Sequence, residues 1–233
     1  MSYSNGPSII NKNLLFYLDF GNQKSYSGIG ATVHDLSGNR YNSTLVGFGS
    51  PPSSSVPYFS FPGVASSYMN TTLPVPSGTA GQRSITVDVW MLLGASPSGW
   101  YGISTQHFGN YYAVKSDTFK AIVMLTSTTN GNVANNIWPE TTATIPTGVP
   151  VNLILKIVED NAATYYINGS KDSVWGPYGN LRYQGDASAF VMGIGLSTMP
   201  FKGNIYSVKI YNTGLSDDEV KRNYNATKGR FGL

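Results

Sequence analysis

Cysteine is absent from this 233-residue chain, and charged residues make up only 12% of it. Without cysteine there is no disulfide, no thiolate nucleophile and no cysteine ligand for zinc, so the fold must rest on its hydrophobic core. The scarcity of charge argues against coiled coils, helical bundles and charge-driven disorder. The net charge is +3 and is not concentrated in a basic run, so we expect no nucleic-acid partner.

Membrane and secretion signals are also missing from the sequence. No apolar stretch is long enough to span a bilayer, so we expect no membrane partner. The first ten residues, MSYSNGPSII, lack the basic and apolar regions of a signal peptide. The sequence therefore predicts cytoplasmic synthesis, with which the lack of cysteine is consistent.

Turn-forming residues and aromatics are abundant instead, with 26 glycines, 13 prolines and 16 tyrosines. Short apolar segments of period two recur at about ten-residue spacing, which is typical of a β-sandwich or barrel. The clearest strand is Ser84–Leu93, and Val151–Val158 forms a hairpin with 164–167. Because no repeat or linker divides the chain, we predict one all-β domain over 1–233 with a short N-terminal arm over 1–12.

A strand and a helix are predicted at the C-terminal end of the chain. The alternation in the last strand places Ser207 and Lys209 on its outer side. After this strand, Ser216 is followed three residues later by Glu219, which is the signature of a capping box. The sequence therefore predicts one helix over about 216–226.

Several segments carry recognisable motifs in a fixed order along the chain. They are Phe16-Tyr17-Leu18-Asp19, the loop 35–39, the strand 85–90, the turn 165–169 and the C-terminal stretch 201–224. These motifs resemble those of laminin-G-like domains of the concanavalin A-like jelly-roll superfamily. The resemblance implies a jelly-roll β-sandwich with a short C-terminal helix. In a jelly roll the first and last strands are neighbours, so we expect 16–20 to pair near 204–212.

The C-terminal stretch departs from the usual motif, because many relatives have Asp and Glu where this chain has Tyr206 and Ser207. Its ending, 224–231, resembles a variant found in structural proteins of tailed bacteriophages. That resemblance implies a virion protein made in the host cytoplasm, which decorates the capsid or forms part of the tail or a fibre. Its partners would be other virion proteins and further copies of itself.

Catalytic constellations are not evident in the sequence. Glycoside hydrolysis on this fold needs two carboxylates on one face of a sheet, but Asp88 is alone in its strand. The adjacent Glu159 and Asp160 lie in a turn, where neighbouring side chains diverge. There is also no Gly-x-Ser-x-Gly motif for a serine nucleophile. We therefore expect a protein that is not an enzyme.

Calcium is the one metal that the sequence raises as a cofactor. Relatives often bind Ca²⁺ at the rim of the sandwich, and the resemblance makes Asp19, Asp35 and Asn39 the candidate ligands. The alternative is an Asx turn, in which Asp35 and Asn39 satisfy the backbone of their own loop without a metal. The sequence leaves both interpretations open.

Aromatic residues form the candidate ligand-binding set. They are Trp100, Tyr101, His107, Tyr111, Tyr112, Trp138 and Trp175. Flat rings stack on sugars, and exposed Tyr and Trp also anchor protein interfaces, so both a host surface glycan and a neighbouring subunit are candidate ligands. The phage resemblance favours the subunit, and a lectin-like carbohydrate-binding module is the alternative. Burial in the sandwich core is the competing interpretation for about half of these residues.

Overall fold

The computed structural model describes residues 7–48, 57–73, 84–95, 100–105, 111–129, 132–158, 162–176, 181–182, 191–195 and 199–233. Strands predominate in these residues. They are β1 (Leu14–Asp19), β2 (Thr32–Val33), β3 (Ser43–Val46), β4 (Phe59–Pro62), β5 (Tyr68–Thr71), β6 (Ser84–Leu93), β7 (Tyr101–Thr105), β8 (Tyr111–Val114), β9 (Ala121–Thr129), β10 (Asn132–Ile137), β11 (Val151–Val158), β12 (Ala162–Ile167), β13 (Ser170–Trp175), β14 (Leu181–Arg182), β15 (Val191–Met192), β16 (Ile194–Gly195), β17 (Met199–Pro200) and β18 (Lys202–Tyr211). The α-helix α1 (Asp217–Thr227) and a 3₁₀ helix (Lys228–Phe231) follow them.

Two antiparallel sheets contain most of these strands. The seven-stranded sheet has the order β1-β18-β6-β11-β12-β13, and β4 pairs with the first part of β18. The nine-stranded sheet has the order β10-β9-β8-β7-β15-β5-β3-β2, with β14 beside β9, while β16 and β17 pair with each other. The first and last strands are neighbours, with Leu18 opposite Val208, as the sequence predicts. The architecture is the predicted all-β jelly-roll sandwich with a short C-terminal helix.

The main core lies between the two sheets and follows from the period-two pattern. Val87 and Val89 of β6 belong to the same buried cluster as Val123 and Leu125 of β9. Their side chains are inward because successive residues of a strand point to opposite faces. Burial of each such side chain contributes about 1.5–3 kcal/mol to the free energy of unfolding.

The helix α1 begins where the sequence predicts it. Ser216 accepts a hydrogen bond from the backbone of Glu219, and the Glu219 carboxylate accepts one from the backbone of Ser216. This reciprocal pair satisfies two amide groups that the first turn would leave without partners. Val220 of α1 and Leu215, which precedes the helix, then pack on the outer face of the seven-stranded sheet.

The turn between β12 and β13 is shaped by the same helix. Asn168 and Gly169 have φ angles of 50° and 74°, which are in the left-handed region that the Asn-Gly sequence predicts. A Cβ atom on Gly169 would lie only 2.7 Å from the ring of Tyr224. Glycine is therefore needed both for the turn and for the close approach of α1.

Ser207 and Lys209 face outward from the inter-sheet core, as the sequence predicts, but they do not reach solvent. Both residues lie on the outer face of the seven-stranded sheet, but they are 1% and 0% exposed. The reason is that α1 and the 3₁₀ helix fold back over this face. The central strands β18, β6 and β11 of the seven-stranded sheet are therefore buried on both sides.

A buried ion pair lies at the centre of this covered face. The Lys209 Nζ atom is 3.3 Å from Asp88 Oδ2, and the two side chains are 0% and 1% exposed. Asn152 donates to Asp88 Oδ1 at 2.7 Å, and Asn223 of α1 donates to Oδ2 at 3.4 Å. Asp88 is thus surrounded by groups from β18, β11 and α1. The sequence pattern of β6 alone does not show these neighbours.

The C-terminal ending is locked to the sheet by aromatic and ionic contacts. Trp90 stacks on Phe231 with ring centroids 4.2 Å apart, and its indole N–H donates to Thr227 Oγ1 at 2.9 Å. Arg230 forms two hydrogen bonds with the carboxylate of Asp19, at 2.8 and 2.9 Å. The C-terminal residues 227–231 therefore help to hold the helical segment against the sheet.

In the described residues, no helix has the length and apolarity of a membrane span.

Replacement of Lys209 by Met is expected to lower the free energy of unfolding by about 3–5 kcal/mol, because it leaves the buried Asp88 carboxylate without its cation. Urea titration followed by tryptophan fluorescence measures this loss. The matched control is Lys171→Met, which removes the exposed ion pair with Asp217 and should cost less than about 1 kcal/mol. Equal losses in the two variants would contradict the importance of the buried pair.

Candidate functional site

Two of the predicted ligand-binding aromatics belong to the core. Tyr101 and Tyr112 are fully buried between the sheets, at inward positions of β7 and β8. The Tyr101 hydroxyl donates to the carbonyl of Gly94 at 3.0 Å, and burial raises the pKa of Tyr112 well above its usual value. The prediction that these two side chains contact a ligand is therefore wrong, and the competing core interpretation applies to them.

Two further candidates are described only in part or not at all. His107 lies outside the described residues. Tyr111 is described by its backbone, which is opposite Met124 in the pairing of β8 with β9. Their role in ligand binding stays a prediction.

The outer face of the nine-stranded sheet carries a second apolar cluster. Ala113, Ile122 and Met124 point away from the inter-sheet core and pack together, with Trp100 against them. Residues 121–125 of β9 are all apolar because both faces of this strand pack against apolar side chains. Met199 of β17 also packs on this cluster.

Trp138 lies beside this cluster and extends it to the surface. The chain continues from β10 along β9, where the Val123 amide donates to the carbonyl of Pro139 at 3.1 Å. The rings of Trp100 and Trp138 are 6.2 Å apart and nearly perpendicular, at 88°. Trp138 is 41% exposed. The cluster of Trp100, Ala113, Ile122, Met124 and Trp138, in which Ala113, Ile122 and Met124 are buried and Trp138 reaches the surface, is called the tryptophan face below.

A charged cluster borders the tryptophan face. Glu140 is opposite Ile122 in an isolated β-bridge, so it follows Trp138 by two residues on the same side of the sheet. Its Oε2 atom pairs with Lys115, and its Oε1 atom pairs with Lys120 at 3.3 Å. The hydrogen bond from Lys115 is the main cause that lowers the pKa of Glu140, which stays ionised at neutral pH.

Trp175, the third predicted tryptophan, contacts the backbone of Glu140. The Trp175 indole N–H donates to the carbonyl of Glu140 at 2.6 Å, and the Ser173 hydroxyl donates to that carbonyl at 3.2 Å. Trp175 is 38% exposed. The structure thus brings Trp100 and Trp138 into contact and places Trp175 at the neighbouring edge strand.

Three polar residues of this region were not identified from the sequence. Lys115 and Lys120 flank the turn between β8 and β9, and Glu140 lies 20 residues beyond the second lysine. Their period-two relation to Ala113, Ile122 and Trp138 was available as a signal. The period-two pattern shows on which face of its strand a residue lies, but it does not show which charged residue from another strand lies next to that residue.

Asp19, one of the three calcium candidates, is occupied by protein groups. Its Oδ1 accepts hydrogen bonds from Arg230 and the Gly21 amide, and its Oδ2 accepts them from Arg230 and the Tyr17 hydroxyl. Both carboxylate oxygens are therefore engaged, and the guanidinium already supplies the compensating positive charge. This geometry explains the buried position of Asp19 without a metal.

Asp35 has the Asx-turn geometry that the sequence left open as an alternative, whereas the Asn39 side chain binds the backbone of β1 instead of the backbone of its own loop. The Asp35 carboxylate accepts bonds from the amides of Tyr17, Ser37 and Tyr41 and from the Ser37 hydroxyl. The Asn39 amide group donates to the carbonyl of Leu15 at 2.9 Å. Within the described residues, no group of three His, Cys, Asp or Glu side chains is arranged to hold a metal ion.

A family model described as the concanavalin A-like lectin/glucanases superfamily matches residues 65–221. No curated protein sequence matches the chain.

Solved structures share the fold at low sequence identity. The sialidase of Trypanosoma rangeli in complex with the inhibitor DANA has a TM-score of 0.63 and 13% identity, over 95% of this chain and 35% of that chain. The receptor binding domain of botulinum neurotoxin C/D mosaic serotype has a TM-score of 0.67 and 13% identity, over 94% and 52%. A third match is domain 4 of AbnA, a GH43 extracellular arabinanase from Geobacillus stearothermophilus, in complex with arabinotriose. Its TM-score is 0.55 and its sequence identity 18%, over 91% of this chain and 98% of that chain. The chain thus spans about a third of the sialidase, half of the toxin domain and nearly all of the arabinanase domain.

Removal of calcium is expected to leave the melting temperature unchanged, because protein donors already bind the carboxylates of Asp19 and Asp35. Differential scanning calorimetry before and after dialysis against EDTA tests this expectation. A lower melting temperature that is restored by added CaCl₂, and not by MgCl₂, would show that a calcium site exists after all.

Proposed function

Because the chain belongs to the concanavalin A-like lectin/glucanases superfamily, we propose that it is a carbohydrate-binding module without enzyme activity. The observation that carries this proposal is the tryptophan face, where the exposed Trp138 lies beside a charged, hydrogen-bonding cluster. Sugar sites combine an apolar surface with a few well-placed polar groups. The face therefore has the composition that binding of a sugar ring requires.

The geometry of the two tryptophans favours stacking of a ligand. Trp100 packs on the apolar cluster and contacts Trp138 edge to face, which restricts the rotation of the Trp138 ring. A ring that is already held loses little side-chain entropy when a ligand binds. Its exposed surface can pack against the C–H groups of a sugar, while neighbouring hydroxyls reach Glu140, Lys115 or Lys120.

One structural neighbour supports a binding role for a domain of this size. Domain 4 of the arabinanase has nearly the length of this chain and its structure contains arabinotriose. A second neighbour is a receptor binding domain. Both likenesses concern the fold, and the proposal for this chain rests on its own tryptophan face.

The described carboxylates also favour binding over hydrolysis. A glycosidase needs two carboxyl groups that can reach the scissile bond. Asp88 is enclosed under α1, Asp19 is paired with Arg230, and Asp172 accepts the amides of residues 142 and 143. Each of these groups would have to give up structural contacts before it could act as an acid or a base.

Replacement of Trp138 by Ala is expected to lower the affinity for a bound glycan about fivefold or more, because loss of an aromatic anchor costs at least about 1 kcal/mol. A glycan array identifies the ligand, and isothermal titration calorimetry compares the dissociation constants. Ile29→Ala is the matched control, since Ile29 is also an exposed apolar residue but lies in the loop before β2. Wild-type affinity in Trp138→Ala would refute the tryptophan face as the binding site.

A structural role in a bacteriophage particle is the second candidate function. The C-terminal ending 224–231 favours it, because its sequence resembles that of tailed-phage structural proteins. In this role the tryptophan face would contact a neighbouring subunit, since exposed tryptophans are frequent anchors of protein interfaces.

The two candidates differ in the expected mass of the purified chain. A binding module that acts alone is expected to elute as a monomer of 25.1 kDa, which size-exclusion chromatography with light scattering measures directly. A trimer or larger symmetric oligomer that dissociates in Trp138→Ala would instead favour the particle role. Oligomers that persist in this variant would place the subunit contact elsewhere on the surface.

A further inference from the structure

The cluster of Glu140, Lys115 and Lys120 has unused hydrogen-bonding capacity. A carboxylate can accept about four hydrogen bonds, and an ammonium group can donate three. The two lysines use one bond on each oxygen of Glu140. About two acceptor sites and four donor sites are left, and all three side chains are 23–32% exposed. This mixture of charged donors and acceptors matches sugar hydroxyls, which donate and accept at once.

The position of Glu140 relative to Trp138 fits a single sugar ring. The two residues are separated by one residue on an extended segment, so their Cα atoms are about 6.5 Å apart and their side chains share a face. A pyranose or furanose ring stacked on Trp138 would therefore bring its hydroxyls to the carboxylate. The two lysines hold that carboxylate in one orientation, which reduces the entropy that binding would otherwise cost.

The charge arrangement favours a neutral ligand over an acidic one. Each lysine already has a carboxylate partner, because Glu140 contacts Lys115 through one oxygen and Lys120 through the other. An acidic sugar that approached either ammonium group would meet the negative charge of Glu140 at close range. To take its place, the ligand would have to break charge-assisted hydrogen bonds that are already formed.

The neighbouring edge strand extends the site beyond one sugar. Trp175 donates to the backbone carbonyl of Glu140, so its 38% exposed ring lies close to the same segment as Trp138. We infer that the site binds a neutral oligosaccharide, with one ring stacked on Trp138, hydroxyls bound by Glu140, and a further sugar near Trp175. This inference rests on the proposed function and assigns its ligand class and its selecting residue.

The test compares Glu140→Gln with the wild type on neutral and acidic oligosaccharides. A glycan array that holds both classes is followed by calorimetry with arabinotriose and maltotriose as neutral probes and trigalacturonic acid as the acidic probe. We expect the array to show neutral ligands, and Glu140→Gln to weaken their binding at least about tenfold, since a hydrogen bond to a charged group is lost. Asp218→Asn is the matched control, because Asp218 is an exposed acid on α1. Trp175→Ala should weaken trisaccharides more than monosaccharides.

The outcomes separate this inference from the proposed function. Preferential binding of acidic sugars that is lost in Lys115→Met would overturn the inference and leave carbohydrate binding in place. Unchanged affinity in Glu140→Gln, together with lost binding in Trp138→Ala, would do the same. If no sugar on the array binds, both statements fail. Melting curves check that the variants fold, and Glu140→Asp, which keeps the charge but shortens the side chain, supplies the comparison if Glu140→Gln does not.

Discussion

The carboxylate of Asp88 is buried in the outer layer of the seven-stranded sheet, where only protein groups can compensate its charge. An ion removed from water without a partner costs several kcal/mol, so this position requires its neighbours. They come from three elements, namely Lys209 on the last strand, Asn152 on β11 and Asn223 on α1. One hydrogen-bond network around Asp88 therefore joins neighbouring strands of the sheet and also holds the helix against them. Contacts of Trp90 and Asp19 with the C-terminal residues enlarge the same interface.

The outer faces of the two sheets are covered by different parts of the chain. Because α1 and the 3₁₀ helix occupy the outer face of the seven-stranded sheet, its aromatic and charged residues serve the fold. The outer face of the nine-stranded sheet is covered by apolar side chains instead, with Ile122 and Met124 buried and Trp138 exposed beside Trp100. Among the described residues, this is where exposed aromatic rings and half-exposed charges lie next to each other. Aromatic and charged residues are thus buried under the helices on one outer face and partly exposed to solvent on the other.

Two ion-pair clusters illustrate how burial changes the use of charge in a chain that has little of it. The Asp88–Lys209 pair is inaccessible, and its hydrogen bonds hold elements of the fold together. The Glu140 cluster is partly exposed, so its atoms keep donors and acceptors that can reach a ligand. In the first case the desolvation penalty makes every partner necessary. In the second case water reaches the cluster, and its two lysines orient the carboxylate of Glu140.

The sequence alone predicted the strands at 84–93 and 151–158 and the capped helix at Ser216, because period-two alternation and capping are local properties. The pairing of the first strand with the last was predicted from the resemblance to jelly-roll domains. The sequence also selected Trp138 and Trp175 but grouped them with Tyr101 and Tyr112, which are core residues. Alternation tells which side of a strand a residue is on, not what covers that side. Only the tertiary structure decided that α1 buries Lys209 and that lysines 20 and 25 residues away meet Glu140, because these contacts join segments that the chain separates.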